Sequence, residues 1–210
     1  NWAATFYYMQ YNNQLVLTGK INDVGSYTRI NVPNSYRMGI ELQGGITISK
    51  WLSATANLTL SRNKIKSFSE YIDDYDETDD YKQQTVEHSN TDISFSPSVT
   101  GAAVINIAPF KNGELSLMGK YVGKQYMDNT QNNNRKLNDY YTQDARFIYS
   151  LKNLLFKEWN FILQANNIFN RRYEANGYTY PYIYGGSLIS DNYYYPMAGT
   201  NFMLAVNIKL

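Results

Sequence analysis

The residues best equipped for chemistry lie in two stretches. Glu70, Asp73, Asp74, Asp76, Glu77, Asp79 and Asp80 place seven carboxylates within eleven positions. Hard cations such as calcium take carboxylate oxygens, which makes Asp73, Asp74, Asp76 and Asp79 candidate metal ligands. The run lacks the regular Asp-x-Asp-x-Asp-Gly spacing and the closing glutamate of a dedicated calcium loop. Charge runs are also commonly solvated, so a hydrated acidic loop is the plainer expectation. The second stretch holds Tyr178, Tyr180, Tyr182, Tyr184, Tyr193, Tyr194 and Tyr195, with Gly185-Gly186 placed to allow a sharp bend. Tyrosine joins a flat apolar ring to a polar tip at low entropic cost, which suits stacking on sugars, aromatic chelators or peptides. The competing expectation is that these rings form an interfacial belt or pack one loop against its neighbours.

Other reactive groups are sparse. His88 is the single histidine and there is no cysteine, so thiolate chemistry is excluded and an imidazole metal site would need other ligands. An exposed loop histidine is the default. No nucleophile elbow, phosphate loop or catalytic triad pattern occurs, and the sequence predicts no enzymatic site and no cofactor. A hydrolase would have to build its base from His88 alone. The formal net charge of +1 offers no broad basic field for nucleic acid.

What must position these residues is a set of strands. Aromatic residues reach 16% with 21 tyrosines, while charged residues make up 18%, below the roughly 25% of soluble domains. Apolar and polar residues alternate with period two in successive segments, the signature of half-buried extended chain. Met38, Ile40, Leu42, Ile46 and Ile48 fall on one face against Arg37, Glu41, Gln43 and Thr47 on the other. Further segments are expected at 2–17, 52–61, 96–107, 114–127, 140–151, 159–170 and 196–210, giving eight strands in all. The last alternates Phe202, Leu204, Val206, Ile208 and Leu210 with Asn201, Met203, Ala205, Asn207 and Lys209. No apolar run is long enough for a membrane helix.

Connection lengths sort by parity. Those at 68–94, 128–139 and 171–195 are long, whereas those at 49–51, 108–113 and 152–158 are short. Short turns at one end and long loops at the other are the mark of antiparallel outer-membrane barrels. The fold expected is therefore all-β, an antiparallel transmembrane β-barrel, with Arg37, Glu41, Lys120, Asp144 and Arg146 facing a wet lumen. Trp51, Trp159, Tyr121, Tyr126, Tyr140 and Tyr141 sit at strand ends and suit the two aromatic girdles.

Three motifs add a resemblance. They are Gln14-Leu15-Val16 with Asn22-Asp23-Val24-Gly25; Lys120-Tyr121-Val122-Gly123-Lys124-Gln125-Tyr126-Met127-Asp128-Asn129 with Arg135 and Leu137; and Asn166-Asn167-Ile168-Phe169-Asn170-Arg171-Arg172-Tyr173-Glu174. In this order, with the terminal strand after them, the chain resembles the C-terminal part of the barrel of TonB-dependent outer-membrane receptors, particularly those of Bacteroidetes. Leu210 stands where that family ends on an aromatic residue.

The resemblance implies that residues 1–210 are about eight C-terminal strands of a 22-stranded barrel with a plugged lumen. The N-terminal plug and the earlier strands would be missing partners, Asn1 a mid-barrel residue, and Phe202, Leu204, Val206, Ile208 and Leu210 the closing strand that meets the absent first one. Function would be import of a siderophore, corrinoid, glycan or peptide across the cell outer membrane, with energy delivered by TonB through the plug and a surface lipoprotein as a further partner. The alternative is an autonomous eight-stranded barrel with a structural or adhesion role.

Overall fold

The computed structural model describes residues 1–76, 82–152 and 157–210. Among these the expected eight strands form one antiparallel path: β1 (Trp2–Ile21), β2 (Tyr27–Ser49), β3 (Leu52–Asp74), β5 (Val99–Phe110), β6 (Gly113–Val122), β9 (Tyr140–Lys152), β10 (Glu158–Asn166) and β13 (Asn201–Lys209). Each neighbour follows the last in sequence, the simplest meander, because antiparallel strands need only a short turn between them. β1 and β13 lie at the two ends of the path, and among the described residues each pairs along only one edge.

The register carries one apolar face across the whole wall. Phe6 opposes Ile40, Ile40 opposes Leu60, and Leu58 lies level with Leu42. Further along, Ile105 opposes Leu117, Leu115 opposes Phe147, Phe147 opposes Leu163, and Leu163 opposes Leu204. A slip of one residue would turn every one of these side chains to the other face. The row Phe202, Leu204, Val206 and Ile208 thus continues Ala165, Leu163, Phe161 and Trp159, and these four residues of β13 are all exposed. In an outer membrane this exposed apolar face is satisfied by lipid.

The opposite face is concave and polar. Tyr7, Arg37, Glu41, Ser61, Asn63 and Ser96 line a recess of about 720 Å³. Arg37 Nη1 donates to Asn63 Oδ1 and Ser96 Oγ, both at 3.1 Å. Lys120 and Arg146 share this face by register. Asp144 also lies here, but its carboxylate accepts the Asn167 N–H at 2.7 Å and caps a turn rather than pairing with Arg146.

Several strand limits differ from the sequence pattern, and the differences cluster outside the membrane. β3 is 23 residues long, far beyond the roughly 9–11 needed to cross a bilayer. It pairs with β5 over Leu52 to Leu60, then changes partner and pairs with β4 (Lys82–Asp92) from Lys64 onward. The connection 68–94 is therefore largely a projecting hairpin. Likewise 171–195 is a two-stranded ribbon, β11 (Glu174–Tyr184) and β12 (Ser187–Pro196), so Pro196 ends β12 and the terminal strand begins at Asn201. The segment 114–127 splits into β6 and the short β7 (Gln125–Tyr126), which pairs with β8 (Lys136–Leu137). Beyond the bilayer both faces of a ribbon meet water or other loops, so apolar-polar alternation no longer marks the chain as a strand.

The girdles also need one correction. Tyr121 and Tyr141 are paired on the outward face at the outer ends of their strands, and Trp51 and Phe110 are exposed at the opposite end. Tyr126 and Tyr140 are instead buried. Tyr140 opposes Val122 on the inner face and stacks on Tyr173 with ring centroids 4.3 Å apart.

Candidate functional site

The outer rim is assembled from the sequence motifs, each doing a local structural job. Asn22 Oδ1 accepts the N–H groups of Val24 and Ser26 at 3.2 and 2.9 Å and closes the β1–β2 turn with Gly25 at φ +79°. Asparagine side chains replace backbone acceptors in this way. In the third motif Asn167, at φ +50°, ties three segments together. Its Nδ2 donates to the carbonyls of Arg171 and Ala198 at 2.9 and 3.1 Å, and its Oδ1 accepts the Arg171 N–H at 2.9 Å. Thr200 Oγ1 donates to its carbonyl. The strand β10 therefore stops at Asn166, because left-handed residues at 167 and 170 redirect the chain into the ribbon. Asn167→Ala removes three side-chain hydrogen bonds and strains the left-handed backbone. We expect it to cost about 2–4 kcal/mol, read as a lowered urea midpoint of the intact protein, with Asn167→Gly recovering the backbone part.

The second motif is the hub. Met127, Asp128, Asn129, Arg135 and Leu137 are all buried. Arg135, 1% exposed, donates from Nη1 to Glu70 Oε1 at 2.6 Å and to Asp128 Oδ2 at 3.0 Å, and from Nε to Ser190 Oγ at 2.8 Å. Burial works against its charge, but Asp128 and then Glu70 outweigh it and hold the guanidinium pKa above its ordinary value. The other oxygen of Glu70 meets His88 Nε2 at 2.7 Å, and the His88 ring stacks on Phe68. One guanidinium thus joins β3, the 127–137 loop and β12, with β4 attached through His88. His88 is a half-buried partner of Glu70 rather than a free surface histidine, a placement its polar sequence neighbours could not reveal.

The tyrosine stretch is a single aromatic surface. Strand alternation and the pairing of Tyr178 with Tyr193 and of Asn176 with Tyr195 put Tyr178, Tyr180, Tyr182, Tyr184, Tyr193 and Tyr195 on one face, and Tyr194 on the other. Tyr178 stacks on Tyr193 at 4.8 Å and lies 5.9 Å from Tyr195, while Tyr180 meets it edge-on at 5.7 Å. Burial, then the neighbouring phenols of Tyr195, Tyr193 and Tyr180, raise the Tyr178 hydroxyl above the usual phenol range. On the opposite ribbon face Gly177, Thr179 and Pro181 are buried, whereas Tyr194 and Leu188 stay exposed. A Cβ at Gly177 would fall 2.9 Å from Met127 Sδ, so glycine lets the ribbon seat on the hub. Tyr180 Oη also donates to the Ile21 carbonyl at 2.6 Å, and Tyr27 Oη to Asn176 and Gly177, anchoring the ribbon to β1 and β2. Tyr184, Tyr193, Tyr194 and Tyr195 stay more than 40% exposed.

Among the described residues of the acidic stretch the carboxylates accept hydrogen bonds from within the fold. Asp73 and Asp74 lie at the end of β3, accepting from Gln83 and Gln84. Asp76 accepts the Gly185 and Gly186 N–H groups at 2.5 and 2.6 Å, clamping the ribbon tip, where both glycines have positive φ. Asp79 lies outside the described residues. Among the described residues no three acidic or histidine side chains converge as a metal-ligand set.

An apolar outer wall, a polar inner wall and folded loops at one end define an outer-membrane β-barrel. The chain belongs to the outer membrane protein beta-barrel family, whose family model matches residues 1–202. Its fold is also that of the C-terminal portion of TonB-dependent receptor barrels. The siderophore receptor PiuA from Acinetobacter baumannii is 18% identical with a TM-score of 0.66, over 99% of this chain and 26% of that one. The ferric-catecholate import receptor Fiu from E. coli K12 is 16% identical with a TM-score of 0.62, over 99% and 25%. The copper transporter OprC gives 13% and 0.62, over 98% and 29%. The chain spans about a quarter of the length of these solved relatives. No curated protein matches.

Proposed function

We propose that this chain is the C-terminal barrel portion of a TonB-dependent receptor that captures a large nutrient at its outer rim and imports it. Energy would come from TonB acting through a plug elsewhere in the protein. The observation that carries this reading is the tyrosine face held on a rigid, buried polar hub above a polar inner wall. Binding needs rings that are already ordered, since each side chain immobilised on binding costs about 0.5–1.5 kcal/mol. Two single-edged end strands support a larger barrel, because an edge inside hydrocarbon leaves its backbone groups unsatisfied. The chain is accordingly read as one domain, with β13 completing closure through Phe202, Leu204, Val206, Ile208 and Leu210 against strands it lacks. Siderophore, corrinoid, glycan and peptide are the cargo classes that suit the rings, and a surface lipoprotein lid would suit the last two.

The test uses the intact natural protein and a cell able to delete TonB. Ferric enterobactin, cobalamin, a maltooligosaccharide and a mixed peptide pool serve as probes in binding and uptake assays. One class should bind, and its uptake should cease without TonB. Y178A/Y193A/Y195A should weaken that binding about tenfold or more, since stacking contacts of about 0.5–1.5 kcal/mol are lost at three rings. Uptake unaffected by TonB would reject the transport reading; binding unaffected by the triple substitution would reject the tyrosine face as the site.

A further inference from the structure

One carboxylate stands in the middle of the tyrosine face. Asp191 pairs with Tyr180 across the ribbon, so it lies on the same side as Tyr178, Tyr182 and Tyr193. It is exposed and accepts the Tyr182 hydroxyl at 3.2 Å, and a carboxylate has further acceptor positions beyond that one. The rings around it are set at angles. Tyr180 meets Tyr178 at 84° between planes, and Tyr75, reaching over from the end of β3, meets Tyr182 at 74° with centroids 5.8 Å apart. Burial, then Asp191, Tyr193 and Tyr75, raise the Tyr182 hydroxyl above the ordinary phenol range, so the ring beside the carboxylate stays neutral. Residues 174–196 include Glu174 and Asp191 but no lysine, arginine or histidine. Among the described residues no cationic side chain pairs with Asp191.

We propose that this patch binds an alkylammonium group of the cargo, with Tyr178, Tyr180, Tyr182 and Tyr193 offering ring faces and Asp191 offering the opposite charge. The inference rests on the tyrosine face being the capture site, and it narrows the cargo there to a cation: a lysine side chain of a peptide or a free polyamine. Two features select this chemistry. An aromatic ring is electron-rich on its face, so rings that meet at steep angles can hold one organic cation from more than one side. Asp191 adds a full negative charge among those rings, and the ribbon carries no basic residue to cancel it. A polyanionic chelate meets like charge here and is disfavoured. A neutral glycan can stack on the rings but gains nothing from the charge.

The test is isothermal titration calorimetry of the intact protein in mild detergent. The probes are N-acetyl-trilysine amide, the same peptide acetylated at every lysine Nζ, spermidine and a maltooligosaccharide. Trilysine should bind about tenfold or more tightly than its acetylated form, and D191N should remove most of that margin. The variant keeps the shape of the side chain and an acceptor for Tyr182 at an exposed position, so the ribbon stays folded. Raising the salt from about 50 mM to about 500 mM should weaken trilysine binding several-fold. Spermidine binding at least as tightly as trilysine identifies a free polyamine as the source of the ammonium group; binding of trilysine alone identifies a lysine-bearing chain. Equal affinity for the charged and acetylated peptides, binding of neither ammonium probe, or a margin that survives D191N overturns the proposal. Binding of the sugar or the acetylated peptide that is lost in Y178A/Y193A/Y195A and unchanged in D191N also overturns it, while leaving the tyrosine face in place as the capture site.

Discussion

Arg135→Met will release the outer loops from one another while leaving the strand wall intact. The substitution keeps most of the side-chain bulk but strands Glu70 and Asp128 in a buried site without their shared cation. Removing one partner of a buried ion pair costs about 3–5 kcal/mol, since the remaining charge is left uncompensated. Arg135→Lys should rescue little. An ammonium cannot reach Ser190, Glu70 and Asp128 at once in the geometry that the planar guanidinium offers. Hydrogen exchange on the intact protein is the direct measurement. Amides in Lys82–Asp92 and Ser187–Pro196 should exchange about a hundredfold faster, whereas those of Glu158–Asn166 stay protected. Unchanged exchange in β4 and β12 would show that the hub does not hold the rim. Loss of protection throughout would show that the hub serves the whole barrel.

The second large effect separates the two faces of one strand. Leu163 lies mid-wall between Phe147 and Leu204 and is 51% exposed, whereas Ile162 beside it faces the lumen between Ile148 and Ala205. Leu163→Arg puts a guanidinium into hydrocarbon, at a cost of about 2–4 kcal/mol near the bilayer midplane. Ile162→Arg meets a wet interior, and we expect a loss under about 1 kcal/mol. Urea titration of the intact protein folded into phospholipid vesicles compares the two directly. Equal destabilisation, or a larger one at Ile162, would reverse the assignment of faces.

How much of this was legible in the sequence depends on where each segment sits. Inside the membrane the solvent differs sharply on the two sides of a strand, and selection writes that difference as strict alternation. The eight-strand meander and the lipid face could therefore be read directly, and Leu204 was assignable before its pairing was known. Outside the membrane that contrast vanishes. The β4 hairpin and the β11–β12 ribbon look like polar or tyrosine-rich loops, since nothing local distinguishes a strand wet on both faces from a coil. Tyr126 and Tyr140 looked like girdle residues for a related reason. A tyrosine at a strand end can serve the interface or the loop core, and only the register shows that Tyr140 lies opposite Val122 on the inner face.

The candidate site divides in the same way. The sequence by itself determined the fold class, the membrane-facing rows, the bend at Gly185-Gly186 and the supply of tyrosines for an aromatic surface, because each follows from residue type or from spacing along one chain. The acidic run could be counted but not interpreted. Only the tertiary structure turned Asp76 into the clamp on that bend and Glu70 into the partner of both His88 and Arg135, which lie 18 and 65 residues away. It also sorted six tyrosines to one ribbon face and turned Tyr194 to the other. Charges such as these find partners through loop packing over long separations, and no local periodicity records which loop will meet which. The alternation of a membrane strand is written in every second residue; the hub around Arg135 exists only where β3, the 127–137 loop and β12 close on one guanidinium.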